Sequence, residues 1–228
     1  MSLKGNFTGR KAIGLQAKGQ DAEALALYEQ AMAEGMDSMR YILAYSVLLL
    51  RVGRFEECKD LLVKYQKAPM APNDKQQLFM NYAVCAYKLG NMEKALAVME
   101  GQHQKNPSGL VYTALGYLYV EAGDFEKAKA YNEEALEYDD EDSVALDNMG
   151  QTYYRLAGDK KKALEYFQKA HELKPNQIDT LYFLAQYDIE AGKIEDAKEK
   201  LEKALAGRAS PLNYATTERV QAALDALK

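Results

Sequence analysis

Six glycines return along this chain at a nearly constant distance: Gly19, Gly53, Gly90, Gly123, Gly158 and Gly192, with spacings of 34, 37, 33, 35 and 34 residues. Five residues after each stands a small side chain, namely Ala24, Cys58, Ala95, Ala128, Ala163 and Ala197. A period of this size restricts the fold to stacked supersecondary units, because each unit can bury its apolar face only against the next.

The residues between the glycines carry the helical period. Tyr112, Leu115, Gly116 and Tyr119 fall on one stripe, and Phe125, Ala128 and Ala135 on the next. Each glycine then reads as the left-handed stop of a first helix. Asn91, Asp124 and Asp159 follow directly as caps of the second. Two antiparallel helices on a short turn approach closely only where side chains are short. Ala12, Ser46, Ala83, Gly116, Gly150 and Ala185 provide that on the first helices. Ala31, Ala135, Ala170 and Ala204 add a further small position on the second ones, where Tyr65 and Gln102 stand in two of the copies.

Pro69, Pro72, Pro107, Pro175 and Pro211 all lie in joints between copies, where they break no helix. The longest spacing is taken up in the joint 68–73, and the extra residue of the fifth copy is placed at Ala157, before its turn. Gly5, Gly9 and Gly14 are expected to weaken the first helix of copy one by about 1 kcal/mol each. From 212 to 228, Val220, Ala223, Leu224 and Leu227 share a stripe with no second helix following, which reads as a cap over the last repeat.

Composition narrows the function. A net charge of −5 does not point to nucleic acid. Residues 1–108 carry 14 Lys and Arg against 11 Asp and Glu, while residues 109–228 carry 15 against 23, a polarity able to orient a charged partner. Cys58 and Cys85 are too few for a disulfide framework and fit a reducing compartment, hence a cytoplasmic protein. The most apolar run, 41–50, is about half of the roughly 20 residues that a membrane helix requires. Met1-Ser2-Leu3 can equally be an added start, with a membrane anchor or another domain ahead of it.

The search for chemistry returns no catalytic set, cofactor or metal. His103 and His171 stand alone near the ends of second helices and read as solvent-facing. The glycines form no phosphate-cradling loop. Cys58 and Cys85 read as core thiols. The acidic run 139–142 lacks the central glycine of a calcium loop, and places negative charge at the start of the following helix.

With these residues the chain resembles the tetratricopeptide-repeat family. Leu115-Gly116, Tyr119, Gly123-Asp124-Phe125, Ala128 and Ala135 follow the family pattern, as do Met149-Gly150, Tyr153, Ala163, Phe167, Ala170 and Pro175. The resemblance covers six copies at about 5–38, 39–75, 76–108, 109–142, 143–177 and 178–211, with the cap at 212–228. It implies an all-α, right-handed solenoid of helix-turn-helix repeats whose first helices line a concave groove.

It also implies which residues face that groove: Tyr87 and Lys88 in copy three, Tyr117 and Glu121 in copy four, Gln151, Tyr154 and Arg155 in copy five, and Tyr182 and Gln186 in copy six. Tyr87, Tyr117, Tyr154 and Tyr182 would form an aromatic ladder, flanked by Lys88, Glu121, Arg155 and Glu190. One subset of the family grips acidic chaperone tails with a two-carboxylate clamp of Lys and Asn. That pattern is absent, because Asn81 and Asn148 follow no Lys/Asn copy.

The expected function is therefore a non-enzymatic scaffold binding a protein or peptide segment in the groove. Two alternatives stay open. One is self-assembly into a homo-oligomer through the N-terminal edge near Tyr41, Leu48 and Leu49. The other is service as the regulatory repeat portion of a larger enzyme, transcription factor or membrane-anchored protein.

Overall fold

The computed structural model describes residues 2–227, which form helices and no strand. The chain divides into two compact units, Met1–Gln102 and His103–Lys228. In chain order the helices are α1 (Leu3–Ala17), α2 (Asp21–Ala33), α3 (Met39–Arg51), α4 (Phe55–Tyr65), α5 (Pro72–Lys88), α6 (Met92–Lys105), α7 (Gly109–Ala122), α8 (Phe125–Tyr138), α9 (Ser143–Gln151), α10 (Lys160–Leu173), α11 (Ile178–Glu190), α12 (Ile194–Ala206) and α13 (Thr217–Asp225). A π-helical turn, Thr152–Ala157, continues α9 without a break.

The turn chemistry follows the sequence closely. Gly123 and Gly158 sit at φ 78° and 69°, where a Cβ would be strained, and the other four repeat glycines share that conformation. Asp124 and Asp159 then accept from the amides of Lys127 (3.1 Å) and Lys162 (3.0 Å), and Asn91 accepts from Lys94 (3.0 Å). Asp142, the last of the acidic run, accepts from both Val144 and Ala145 at the start of α9.

Each second helix drives one side chain, nine residues after its glycine, into the pair. Tyr28, Leu62, Met99, Asn132, Phe167 and Leu201 fill this slot and all are buried. Space for it comes from the small residue on the facing helix. A Cβ on Gly150 would lie 2.5 Å from the Phe167 ring, and one on Gly116 would lie 1.9 Å from Asn132 Oδ1.

Copy one departs from expectation. Its glycines do not spoil α1, which runs unbroken from Leu3 with Ser2 as its cap. Gly5 and Gly9 allow close approach to the joint that follows α2, since a Cβ on either would come within 2.4 Å of Met36 atoms. At Gly5 and Gly9 close packing thus opposes the loss in helix propensity, whereas a Cβ on Gly14 would meet nothing within 4 Å. The N-terminal edge also changes identity. Leu48 and Leu49 are buried inside the first unit and Tyr41 is half-buried, whereas Leu3 and Phe7 of α1 are the exposed apolar side chains.

In copy five the extra residue is absorbed inside the helix and not at its turn. Tyr119 stacks on Tyr131 at 5.3 Å with Lys127 Nζ over its ring. Tyr153 does the same with Tyr166 at 5.7 Å and Lys162. Tyr119 lies four residues before its glycine and Tyr153 five, so the insertion falls after Tyr153, where a π turn takes up one residue.

The cap is shorter than the stretch 212–228. Only Thr217–Asp225 is helical, Thr216 caps it through the Arg219 amide, and residue 228 lies outside the described residues. Val220 is buried against Leu201 and Ala204, with Ala223, Leu224 and Leu227 packed around it. Residues 212–216 precede the helix as irregular chain.

Candidate functional site

In the first unit, Tyr87 and Lys88 close α5. Both are half-buried, and the Lys88 ammonium stands 4.7 Å from the Tyr87 ring centre, a cation–π contact. Asn81, on the same helix, is buried and donates to Ser46 Oγ at 2.8 Å. Asn148 does likewise in the second unit, donating to the Thr113 carbonyl at 3.0 Å. Both asparagines therefore tie neighbouring first helices together and are committed to the framework.

In the second unit α7, α9 and α11 lie side by side, stitched by Asn148 and by Gln177 Nε2 on the Ser143 carbonyl. Tyr117 is buried and Gln151 is fully buried. Tyr154 and Tyr182 are half-buried, and Phe183 stands between them at 5.2 Å and 5.5 Å. The described rings thus make a packed aromatic cluster around Phe183, not an open ladder. Phe167 completes it, stacked on Phe183 at 4.9 Å. Gln186 is half-buried with its amide near the Tyr182 carbonyl, at 3.4 Å.

The flanking charges neutralise one another. Glu121 and Arg155 pair at 2.5 Å with side chains only 14% and 19% exposed, which holds both in place. Glu190 pairs with Lys160 at the surface. Exposed on the same helices, one repeat apart, are Leu110 and Val144.

Asp147 and Asp179, at groove positions that the family resemblance also implies, and Tyr214, which it does not reach, organise this face. Asp147 and Asp179 are both buried, and Gln151 bridges them, donating to Asp147 at 2.8 Å and lying 3.4 Å from Asp179. Thr180 donates its hydroxyl to Asp147 at 2.6 Å, and Arg155 donates to Gln151 Oε1 at 2.9 Å. Asp179 accepts from two consecutive main-chain amides, those of Tyr214 (3.1 Å) and Ala215 (2.8 Å). The Tyr214 ring in turn lies against Tyr182, Phe183 and the Arg155 guanidinium, the last 3.9 Å from its centre. Asp147 stands out in the sequence as the one charge at a position where other first helices carry Leu43, Met80, Thr113 and Tyr182, whereas Asp179 does not, because Arg40 and Gln77 occupy its position elsewhere. Tyr214 carries no such signal, because its partners come from residues far back in the chain.

Burial pushes the carboxyl of Asp147 up from its ordinary range, and the charge of Asp179 adds to this against the bonds from Thr180 and Gln151. Burial raises Asp179 as well, opposed by the two amides it accepts. A carboxyl raised on folding lends stability that is complete below the unfolded value and is lost as pH climbs through the folded one. Asp147→Asn removes that titration while leaving an oxygen for Thr180. The variant should therefore gain on the parent protein between about pH 4 and pH 7, by about 1.4 kcal/mol for each unit by which the folded value exceeds the unfolded one. Urea unfolding at stepped pH reads this directly, and a constant gap between the two proteins would contradict it.

The other candidates are structural. His103 is not isolated: it is half-buried, 3.1 Å from Glu134 Oε2, and set edge-on between Tyr112 and Tyr131. His171 is also half-buried, and burial, helped by Lys200 and Lys203, lowers its pKa. Cys58 and Cys85 are free and buried. Hydrogen bonding with Cys85, and then burial, push the Cys58 thiol up, which disfavours its thiolate. Among the described residues no three His, Cys, Asp or Glu side chains group to hold a metal, and no helix is long and apolar enough to cross a membrane.

Family models described as tetratricopeptide repeat match residues 110–142 and 154–227. Superkiller protein 3 of Schizosaccharomyces pombe is 33% identical over 101 residues, which is 44% of this chain and 7% of that protein. The chain thus spans less than a tenth of the length of the curated relatives it matches. A tetratricopeptide repeat protein from Parabacteroides merdae superposes with a TM-score of 0.80 at 13% identity, covering 99% of this chain and 84% of that one. YrrB, described as a tetratricopeptide-repeat protein with an unusual peptide-binding site, superposes with a TM-score of 0.52 at 21% identity, over 79% of this chain and 90% of its own. At such identities the likeness carries the helical-repeat fold.

Proposed function

As the chain belongs to the tetratricopeptide-repeat family and is built as a repeat scaffold for protein contacts, we propose that it holds a peptide or protein segment along the first helices of its second unit, without catalysis. One observation carries this reading. Leu110 and Val144 stand exposed at equivalent positions of adjacent first helices, 39% and 42% accessible, beside a surface whose polar groups are already fixed in place. Exposed apolar side chains next to preorganised donors and acceptors are what an extended segment needs, since little ordering remains to be done on binding. The peptide-binding description of YrrB supports the class of ligand. Tyr154, Tyr182 and Gln186 would border the bound segment and Tyr117 would support it from below. In the first unit, Tyr87 and Lys88 would offer a separate contact.

Photo-crosslinking tests the assignment. A benzophenone amino acid placed singly at Leu110, Val144 or Gln186 should capture the same partner from native lysate, whereas one at Lys169, exposed on α10, should not. Capture from Lys169 with none from the three first-helix positions would overturn it.

A further inference from the structure

The irregular stretch between α12 and α13 meets the groove positions with unusual specificity. Asp179 takes two successive main-chain amides, and the Tyr214 ring rests on Arg155, Tyr182 and Phe183. Gln151, Arg155 and Tyr182 are among the residues that the family resemblance turns toward a ligand, and Asp179 lies on the same helix as Tyr182. Residues 211–214 are half-buried, and only Ala215 reaches the interior. Their loop is held by its own turn, in which Ser210 N and Leu212 N donate to Asn213 Oδ1 and Ser210 Oγ. The grip takes an aromatic ring and two main-chain amides, which every peptide has, together with the Asn213 side chain on Asp179 and a small residue at the buried position of Ala215.

We infer that residues 210–215 are a built-in ligand mimic: the end of the groove formed by Gln151, Arg155, Asp179 and Tyr182 is a subsite for an extended peptide with an aromatic side chain, and the chain's own Tyr214 fills it until a partner segment displaces it. This rests on the reading of that face as a ligand site. The chemistry is a carboxylate for two consecutive amides, and a guanidinium with two aromatic rings for one side chain. Displacement would withdraw Ala215 from the cluster that holds Val220, and would free Arg219 of α13 from the Tyr214 ring and carbonyl, while Leu201 and Ala204 still offer Val220 an apolar seat. A partner therefore competes with an intramolecular segment of high effective concentration, which lowers its apparent affinity and selects for aromatic-bearing sequences.

The test uses a labelled, end-capped peptide copying residues 210–216 and the full chain carrying Tyr214→Ala with Arg219→Ala, which remove the ring and the guanidinium 3.8 Å from its centre and leave the four subsite residues intact. By fluorescence anisotropy this double variant should bind this peptide at least tenfold more tightly than the parent chain. A peptide with alanine for its tyrosine should lose at least tenfold, and adding Asp179→Asn should abolish binding. Equal binding to both chains, or no discrimination between the two peptides, overturns the inference. Should the double variant fail to fold, amide hydrogen exchange on the parent chain decides. Tyr214 and Ala215 should exchange at least tenfold faster than Leu201 and Val220 by local opening, and exchange only with global unfolding would make the segment a permanent part of the core. The two readings fail separately, since crosslinking from Leu110 and Val144 does not depend on whether the segment opens.

Discussion

Replacing Phe167 by alanine is expected to cost about 3–5 kcal/mol of unfolding free energy, the largest loss from a single side chain in the second unit. Phe167 is fully buried from α10, lies against the backbone of Gly150, and stacks on Phe183 at 4.9 Å with Tyr154 edge-on at 6.4 Å. Its removal leaves a hole bounded by two helices of one repeat and the first helix of the next, so no single side chain can collapse into it. Because Phe183 also supports Tyr182 and Tyr214, the damage should reach the candidate ligand face. Denaturant titration gives the loss, and the near-ultraviolet tyrosine signal should change even under conditions where helix content is retained. A loss below about 1 kcal/mol would mean that the slot is not the keystone of the repeat.

The second large effect concerns the same slot one repeat earlier. Asn132 occupies it, fully buried, with Nδ2 donating to the Ala128 carbonyl at 2.8 Å and Oδ1 buried without a hydrogen-bond partner among the described residues. Gly116→Ala would ordinarily favour a helix by up to about 1 kcal/mol. Here the added Cβ would meet Oδ1 at 1.9 Å, so the substitution should instead destabilise by about 1–3 kcal/mol through overpacking. Adding Asn132→Ala removes both the clash and the stranded oxygen. The double variant should therefore recover most of the loss, a coupling that independent sites would not show. Thermal unfolding of the two single variants and the double variant reads this cycle, and simple additivity would refute the packing account.

These two slots also show how legible the chain is. That Gly116 and Gly150 belong to a series of small residues is plain from periodicity alone. Which side chain each makes room for is not, since Asn132 and Phe167 come from the opposite helix and their depth depends on the angle at which the two helices meet. Gly5 and Gly9 of copy one mislead for the same reason. Their helix propensity is local, whereas the close approach to Met36 that makes Gly5 and Gly9 useful is tertiary. Among the groove residues that the family resemblance implies, Tyr154, Arg155, Tyr182 and Gln151 stand in one neighbourhood. The resemblance gives no depth, so the burial of Tyr117 and Gln151 and the neutralising Glu121–Arg155 pair were not visible in it.

The sequence by itself determined the repeat, the helix ends and the class of protein. The reason is that glycine conformation, capping and apolar spacing act over at most a few residues and recur in every copy. Tertiary structure alone decided what stands at the proposed ligand face. The contacts of Asp179 with Tyr214 and Ala215, and of Tyr214 with Arg155, join residues separated by a repeat or more, and they arise once. A contact made once leaves no period to read, and a main-chain amide leaves no mark in the side-chain sequence at all.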